Sequence, residues 1–365
     1  AGTGILATAV IQKLIDDGYK GRIHVTCYET DDFVMPVLEE NMRLSTVLPN
    51  VTCSIKTDNY ITSQNFSNYT HFGGEDFHYD YIIGNPPYLK TPKDAVEALA
   101  MPEVCYGAPN LYFLFWAMGI HNLKEGQELV YIIPRSWTSG AYFKRFREYL
   151  FRECVLTDIH LFEKRDKVFD GESVLQETMI VKVKKTRVVP SAINITTSST
   201  SDFKDISSFS APYETVVTKN HCVCVVTNSD DVNVLHTINH FSKTLPEINL
   251  KMQTGIIVDF RTREVLRNEL EEGAYPLLYA QHIREGKIVW PLGKEGEVIK
   301  TERKSYLQEN GNFLLVKRFT SKEEPRRLQC GIYLKKKFDK FKYISTHNKV
   351  NFIKCDSPCV TYGLY

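Results

Sequence analysis

The chain has 365 residues, is 43% apolar and 12% aromatic, and carries a net charge of +1. Such a composition buries a large core and excludes global disorder, and the length suggests two or three domains. A charge so close to zero excludes a protein coated in positive charge, so any surface for nucleic acid must be local.

Residues 5–17 carry helical spacing through Ile5, Ala9 and Leu14 and stop near Gly18. Residues 22–28 form a short β-branched run. Asp31 and Asp32 follow it and predict the cap of a second helix, whose positive end favours acidic side chains. Residues 51–57 predict a strand. Residues 79–84 are short and apolar and are stopped by Asn85-Pro86-Pro87. Residues 110–123 predict a buried helix closed by Lys124-Glu125-Gly126; its apolar run over 111–120 is too short to span a bilayer. Residues 128–133 predict another strand, stopped by Pro134, and residues 140–151 an amphipathic basic helix. Residues 155–162 and 178–184 predict late strands. Alternating β and α units imply an α/β, doubly wound fold, with a parallel sheet covered by helices on both faces.

After Lys185 the texture changes. Residues 191–210 are rich in Ser and Thr and read as an exposed connector or a weak hairpin. From about Leu245 short strands, turns and basic residues dominate. Within 315–354 twelve Lys and Arg face three Asp and Glu. The expected division is a first domain at 1–187, a connector at 188–244 and a second domain at 245–365. Nine cysteines without regular spacing predict reduced thiols in a cytoplasmic protein, with no metal site. No signal peptide opens the chain. It begins inside a glycine motif and ends at Tyr365 without a stop signal, so it is expected to be the greater part of a longer protein.

Ala1-Gly2-Thr3-Gly4 directly precedes a helix, where glycines let a backbone turn approach a nucleotide-like ligand. Glu29 follows the next strand, where doubly wound folds place an acid on ribose hydroxyls; a helix-capping carboxylate is the alternative. Asp58-Asn59 ends the strand at 51–57 and could accept a hydrogen bond from an adenine amino group, or simply make a turn. Asp80-Tyr81-Ile82-Ile83-Gly84-Asn85-Pro86-Pro87-Tyr88 carries the strongest signal. Two prolines stiffen the loop after a buried strand and set the direction of its carbonyls. The Asn85 oxygen and the Pro86 carbonyl can accept the two N–H bonds of a conjugated amine. That draws its nitrogen toward tetrahedral geometry and frees the lone pair. Tyr88 offers a flat face for stacking on a base.

With these residues the chain resembles the N6-adenine DNA methyltransferases of bacterial restriction–modification systems, in the subgroup whose cofactor motif precedes Asn-Pro-Pro-Tyr. The resemblance covers nearly the whole chain. It implies a class I methyltransferase (Rossmann-like) domain at 1–187 and a mixed α/β target-recognition domain at 245–365. It implies S-adenosylmethionine as cofactor, held by Ala1, Gly2, Thr3, Gly4, Glu29, Asp58, Asn59, Asn85 and Tyr112. Asn85, Pro86, Pro87 and Tyr88 become catalytic, and Phe169 becomes a second aromatic closing on the extruded base. Pro134-Arg135-Ser136 resembles the loop after the family's next strand. The family's first strand would lie before Ala1.

Residues 254–261, 276–283 and 313–319 resemble the target-recognition part of methylases that partner six-base-cutting restriction enzymes. The resemblance places Arg261, Arg263, Gln281, His282, Lys317 and Arg318 on DNA. Lys322, Arg326 and Arg327 add phosphate partners, which give affinity without sequence reading. The expected partners are double-stranded DNA and a cognate restriction endonuclease, with no membrane. The rival readings are the methylase half of a bifunctional restriction enzyme, a methyltransferase for a glutamine amide in protein or for adenine in RNA, and a specificity component with a dead methylase fold.

Overall fold

A computed structural model describes residues 1–64, 66, 79–162, 177–200, 202–321, 324 and 326–365. The chain divides into two compact units, Ala1–His240 and Phe241–Tyr365.

The first unit opens with α1 (Ile5–Asp16), β1 (Ile23–Tyr28), α2 (Met35–Ser45) and β2 (Val51–Lys56). β1 and β2 pair in parallel from Ile23↔Val51 to Tyr28↔Lys56. Ile11 of α1 meets Ile23 and Val51, while Leu38 and Met42 of α2 bury Cys27. Asp31 does not cap α2. Its carboxylate accepts the Phe33 N–H and its carbonyl accepts those of Val34 and Met35, so it closes a turn ahead of the helix. Pro36 in the first turn of α2 fixes φ where no N–H is needed.

The six-stranded sheet is built from β3 (Tyr79–Gly84), β4 (Leu123–Pro134), β5 (Val155–Phe162), β6 (Thr178–Lys184), β7 (Ala192–Ser198) and β8 (Ser207–Pro212), in the order β3-β4-β6-β5-β7-β8. β3 and β4 are parallel, but β6 runs antiparallel between β4 and β5, so the sheet is mixed rather than all parallel. The Ser/Thr-rich segment is not a connector. β7 pairs with β5, and β8 closes the edge as a hairpin partner, because Ile193, Ile195 and Ala211 alternate into the core. Among the described residues β1 and β3 do not pair with each other, and each has one hydrogen-bonded neighbour.

α3 (Val96–Ala100) precedes α4 (Leu111–Asn122), which is apolar on all sides and buries nine of its residues. Asn110 caps it, accepting the Tyr112 N–H. Gly119 lets α4 approach the sheet; a Cβ there would sit 2.7 Å from Leu129 Cδ1. The helix runs straight into β4 and is not closed by 124–126. Its end is closed by Lys185, whose ammonium donates to the carbonyls of Ile120, His121 and Leu123 at 2.7–3.2 Å. α5 (Lys144–Glu153) packs Phe146, Tyr149 and Leu150 beside Trp116 and Trp137. Its Arg147 is buried, with Nη1 donating to the carbonyls of Trp137 and Gly140 and Nη2 to Cys222 Sγ. α6 (Tyr213–Val216) and α7 (Ser229–Asn239) follow.

The other face of this sheet is polar. Lys182 bridges Asp158 at 2.8 Å and Glu128 at 3.9 Å, and His160 bonds Thr196 and Ser198. The expected helices on both faces are thus replaced here, among the described residues, by a half-exposed ladder of polar pairs.

The second unit is almost entirely β. One sheet has the order β10-β14-β11-β18-β15, from β10 (Leu266–Arg267), β11 (Ala274–Leu278), β14 (Val298–Lys300), β15 (Gln308–Glu309) and β18 (Tyr343–Thr346). The other has the order β12-β13-β17-β16-β19-β9, from β9 (Met252–Thr254), β12 (Ile283–Arg284), β13 (Gly286–Ile288), β16 (Asn312–Lys317), β17 (Cys330–Tyr333) and β19 (Val350–Cys355). Phe313, Leu315, Tyr333 and Phe352 build its core. The expected mixed α/β character rests on short 3₁₀ turns and one terminal helix, α8 (Pro358–Leu364). No helix among the described residues is long and apolar enough to cross a membrane.

Candidate active site

β3 ends at Gly84, which lies so close to β4 that a Cβ would meet the Tyr131 ring at 3.0 Å. The chain then leaves the sheet through Asn85-Pro86-Pro87-Tyr88, as the sequence predicts. Asn85 is exposed and Pro86 is buried. Prolines at 86 and 87 carry no N–H, so they cannot consume nearby acceptors. Among the described residues neither the Asn85 amide nor the Pro86 carbonyl has a hydrogen-bond partner. Two unpartnered acceptors therefore stand side by side at a strand end, the Asn85 oxygen on an exposed side chain and the Pro86 carbonyl on a buried residue.

Tyr88 is held from two sides. Its hydroxyl donates to the Ile132 carbonyl of β4 at 3.0 Å, and its ring meets Tyr112 edge-on at 6.2 Å. Burial pushes the phenol up, so it stays a donor. The ring thus has a fixed plane, which a stacking platform requires.

Tyr112 departs from its expected role. Its side chain is completely buried, with its hydroxyl 3.0 Å from Ser136 and its ring against Phe143. A side chain enclosed in this way cannot touch a cofactor; it forms the wall behind Tyr88. Ser136 extends that wall through its bond to Tyr112. Tyr142 is exposed, with the Lys90 ammonium 5.6 Å from its ring centre. Reading 140–151 as one helix hid Tyr142, which lies in a separate 3₁₀ turn at Ala141–Phe143. Phe169, the other expected base-stacking residue, lies outside the described residues.

The glycine turn and Glu29 come together. Gly2 and Gly4 both have positive φ, +58° and +81°. At Gly4 a Cβ would meet Leu38 at 2.8 Å, whereas at Gly2 it would meet nothing, so the turn packs on α2 on one side and stays open on the other. Thr3 offers its carbonyl to Asn41. Glu29 accepts from Gly2 N, Thr30 N and Asp31 N at 2.6–2.9 Å. Burial opposes its charge, and the hydrogen bonds it accepts outweigh that and hold the carboxyl low. Glu29 thus braces the turn and its own strand end, and a ribose hydroxyl would have to share its oxygens with these backbone donors.

Asp58 is exposed with no hydrogen bond among the described residues, open to an amino group. Asn59 is not. Its oxygen accepts the N–H of Ile61 and Thr62 and its amide donates to Glu97, so its acceptor serves the turn and one amide N–H remains. An open glycine turn, an ionised strand-end acid and a free acid at the next strand end suit a nucleoside, and on these residues S-adenosylmethionine fits.

The Eco57I restriction-modification methylase family matches residues 22–169. The chain is 30% identical over 377 residues to the type II methyltransferase M.BsuBI of Bacillus subtilis, a match spanning 100% of this chain and 75% of the relative. This chain belongs to the restriction–modification methyltransferases. To type II methyltransferase M.PstI of Providencia stuartii it is 30% identical over 344 residues, covering 91% and 68% of the two chains. The type IIL restriction-modification enzyme MmeI, solved in complex with DNA, shares the fold: 99% of this chain aligns with 60% of that one at a TM-score of 0.52 and 10% identity. The cofactor of this class I fold is S-adenosylmethionine.

In the methyltransferase's second unit the six expected DNA contacts divide. Arg261, Arg263, Gln281 and Arg318 are exposed. Lys317 is half-buried and paired with Glu324 at 3.5 Å. His282 is wholly buried and cannot meet DNA. Its Nδ1 accepts the Tyr279 N–H, so Nε2 carries the proton and donates to Glu297 at 3.0 Å. Burial outweighs Glu297 and keeps the imidazole neutral. Glu297 also accepts the N–H of Leu292 and Gly293. Burial opposes its charge, and these donors outweigh it and hold the carboxyl low. The pair braces the turn at 289–297. Sequence reading missed Glu297, because one acid in a charged stretch gives no sign of burial.

Proposed function

We propose that this methyltransferase moves a methyl group to the exocyclic N6 of an adenine rotated out of double-stranded DNA at a specific site. The observation that supports this reading is the pair of unpartnered acceptors, the Asn85 oxygen and the Pro86 carbonyl, beside a ring of fixed plane. Adenine N6 is a poor nucleophile because its lone pair is delocalised. Asn85 and Pro86 each accept one N–H, and the lone pair localises on nitrogen. Tyr88 stacks on the base and holds its plane. When bound, S-adenosylmethionine would supply an electrophilic methyl group; the N6 lone pair that Asn85 and Pro86 localise would accept it, and one N–H proton would leave to water. The turn at Gly2–Gly4, braced by Glu29, and the Asp58 carboxylate would hold the nucleoside.

An adenine in a duplex hides N6, and rotating it out costs a few kcal/mol. The exposed arginines of the second unit offset that by binding phosphates. A restriction endonuclease cutting the same sequence is the partner this reading implies. The test uses labelled S-adenosylmethionine, duplex DNA and the full-length protein, followed by nucleoside digestion. Label in N6-methyladenine, lost in Asn85→Ala with DNA affinity retained, is the expected result. Label in cytosine, RNA or protein, or transfer that survives Asn85→Ala, sinks the reading.

A further inference from the structure

Among the exposed aromatic side chains of the second unit, Phe260 and Phe319 stand out. Phe260 is 68% exposed and Phe319 63%. Single exposed apolar residues are ordinary. These two share a setting that is not. Each has an arginine beside it: the Arg261 guanidinium lies 5.3 Å from the Phe260 ring centre, and that of Arg318 5.2 Å from Phe319.

Both pairs are fastened to one turn, residues 347–349 between β18 and β19. On one flank the Asn348 N–H donates to the Ile257 carbonyl at 2.9 Å. Asp259, next to Phe260, accepts from His347 at 2.6 Å. His347 is buried and its Nδ1 accepts the Lys349 N–H, so Nε2 is the donor. On the other flank the Arg318 N–H donates to the Lys349 carbonyl at 3.0 Å and its guanidinium to Asn348 at 3.2 Å. Lys349 itself is exposed. A hydrogen-bonded turn anchored by the buried His347 thus presents three cations and two bare aromatic rings to solvent.

We propose that Phe260 and Phe319 stack on bases of duplex DNA unstacked around the extruded adenine, while Arg261, Arg318 and Lys349 take the flanking phosphates. The assignment rests on the DNA reading given above. Cations alone would serve phosphates; rings beside them add the sequence-tolerant stacking that stabilises a distorted duplex. A protein surface is the poorer occupant, because it offers no row of phosphates to match the cations.

The experiment uses full-length protein carrying Phe260→Ala, Phe319→Ala and both together. The substrates are the duplex that the wild type methylates and the same duplex with the target adenine opposite an abasic site. A base already unpaired needs less help to leave the stack. The double variant should lose roughly tenfold or more in kcat/KM on the paired duplex. It should recover most of that loss on the abasic duplex, with unchanged thermal unfolding. Arg318→Ala should weaken binding to both duplexes equally. Wild-type rates on the paired duplex, or equal losses on both duplexes, overturn the proposal while wild-type methylation of DNA still supports the parent reading. A wild type that leaves the DNA unmethylated overturns both.

Discussion

The two units place their chemistry differently. In the first, each candidate group lies where a strand ends: Glu29 after β1, Asp58 after β2 and Asn85 after β3. The backbone does much of the work there, through prolines that withhold N–H groups and glycines at positive φ. In the second, strands are as short as two residues, and polar side chains inside the unit hold the turns. His282–Glu297 and His347–Asp259 are buried in whole or part so that neighbouring loops can be exposed. A strand end repeats wherever the fold repeats, whereas a braced loop can be rebuilt without disturbing the sheet. Catalysis is suited to the first arrangement and sequence selection to the second.

The comparison breaks first, or survives, at Asn85. Asn85→Ala should lower methyl transfer by roughly 10²–10³-fold or more, as when a preorganised polar partner is removed, while gel-shift affinity holds. Next in size is Tyr88. Tyr88→Ala should cost about tenfold or more in kcat/KM through lost stacking. Tyr88→Phe keeps the ring and loses only the bond to Ile132, so its loss should be smaller. If the two variants are equally impaired, the hydroxyl matters as much as the ring.

For the second unit the largest effect should be on stability. Glu297→Ala leaves the N–H groups of Leu292, Gly293 and His282 without an acceptor, at ~3 kcal/mol or more in total. Calorimetry should show an early transition for that unit, with S-adenosylmethionine binding retained. Arg261→Ala is expected to reduce the salt dependence of DNA binding by about one counterion and change affinity only severalfold.

The smallest effect is with pH. Burial, partly offset by their acidic partners, keeps His282 and His347 below the ordinary imidazole value of 6.5. As pH falls through that value, the unfolded chain binds protons that the folded one does not. The second unit should then lose stability, by at most ~1.4 kcal/mol per pH unit for each histidine. A melting temperature flat from pH 7 to 5 would show that neither imidazole is held neutral.

Legibility followed the same division. β1 to β6 fell where hydrophobic runs and breakers placed them, except that β4 begins at Leu123 rather than at 128, and Asn85-Pro86-Pro87-Tyr88 stood out as four adjacent residues. What escaped depended on tertiary contact. Tyr112 sits in a motif but points into the core, since an all-apolar helix gives no sign of which face meets a ligand. The Asn59 oxygen is consumed by its own turn. The segment around 191–210 read as a connector or a weak hairpin, and the hairpin was right, but its place in the sheet was hidden because Ser and Thr alternate with the few apolar residues that enter the core. His282 looked like a contact because a buried histidine and a DNA-reading one are spelled alike.

Lys185 sets an order on how the first unit is made. The helix Leu111–Asn122 has its last carbonyls closed by a residue 65 positions after Ile120. During synthesis the helix therefore emerges with a frayed end and is finished only once the strand Thr178–Lys184 has been delivered. Lys185→Met should therefore speed unfolding and leave the refolding rate nearly unchanged, because a contact closed so late and across so much chain is not yet made at the folding barrier.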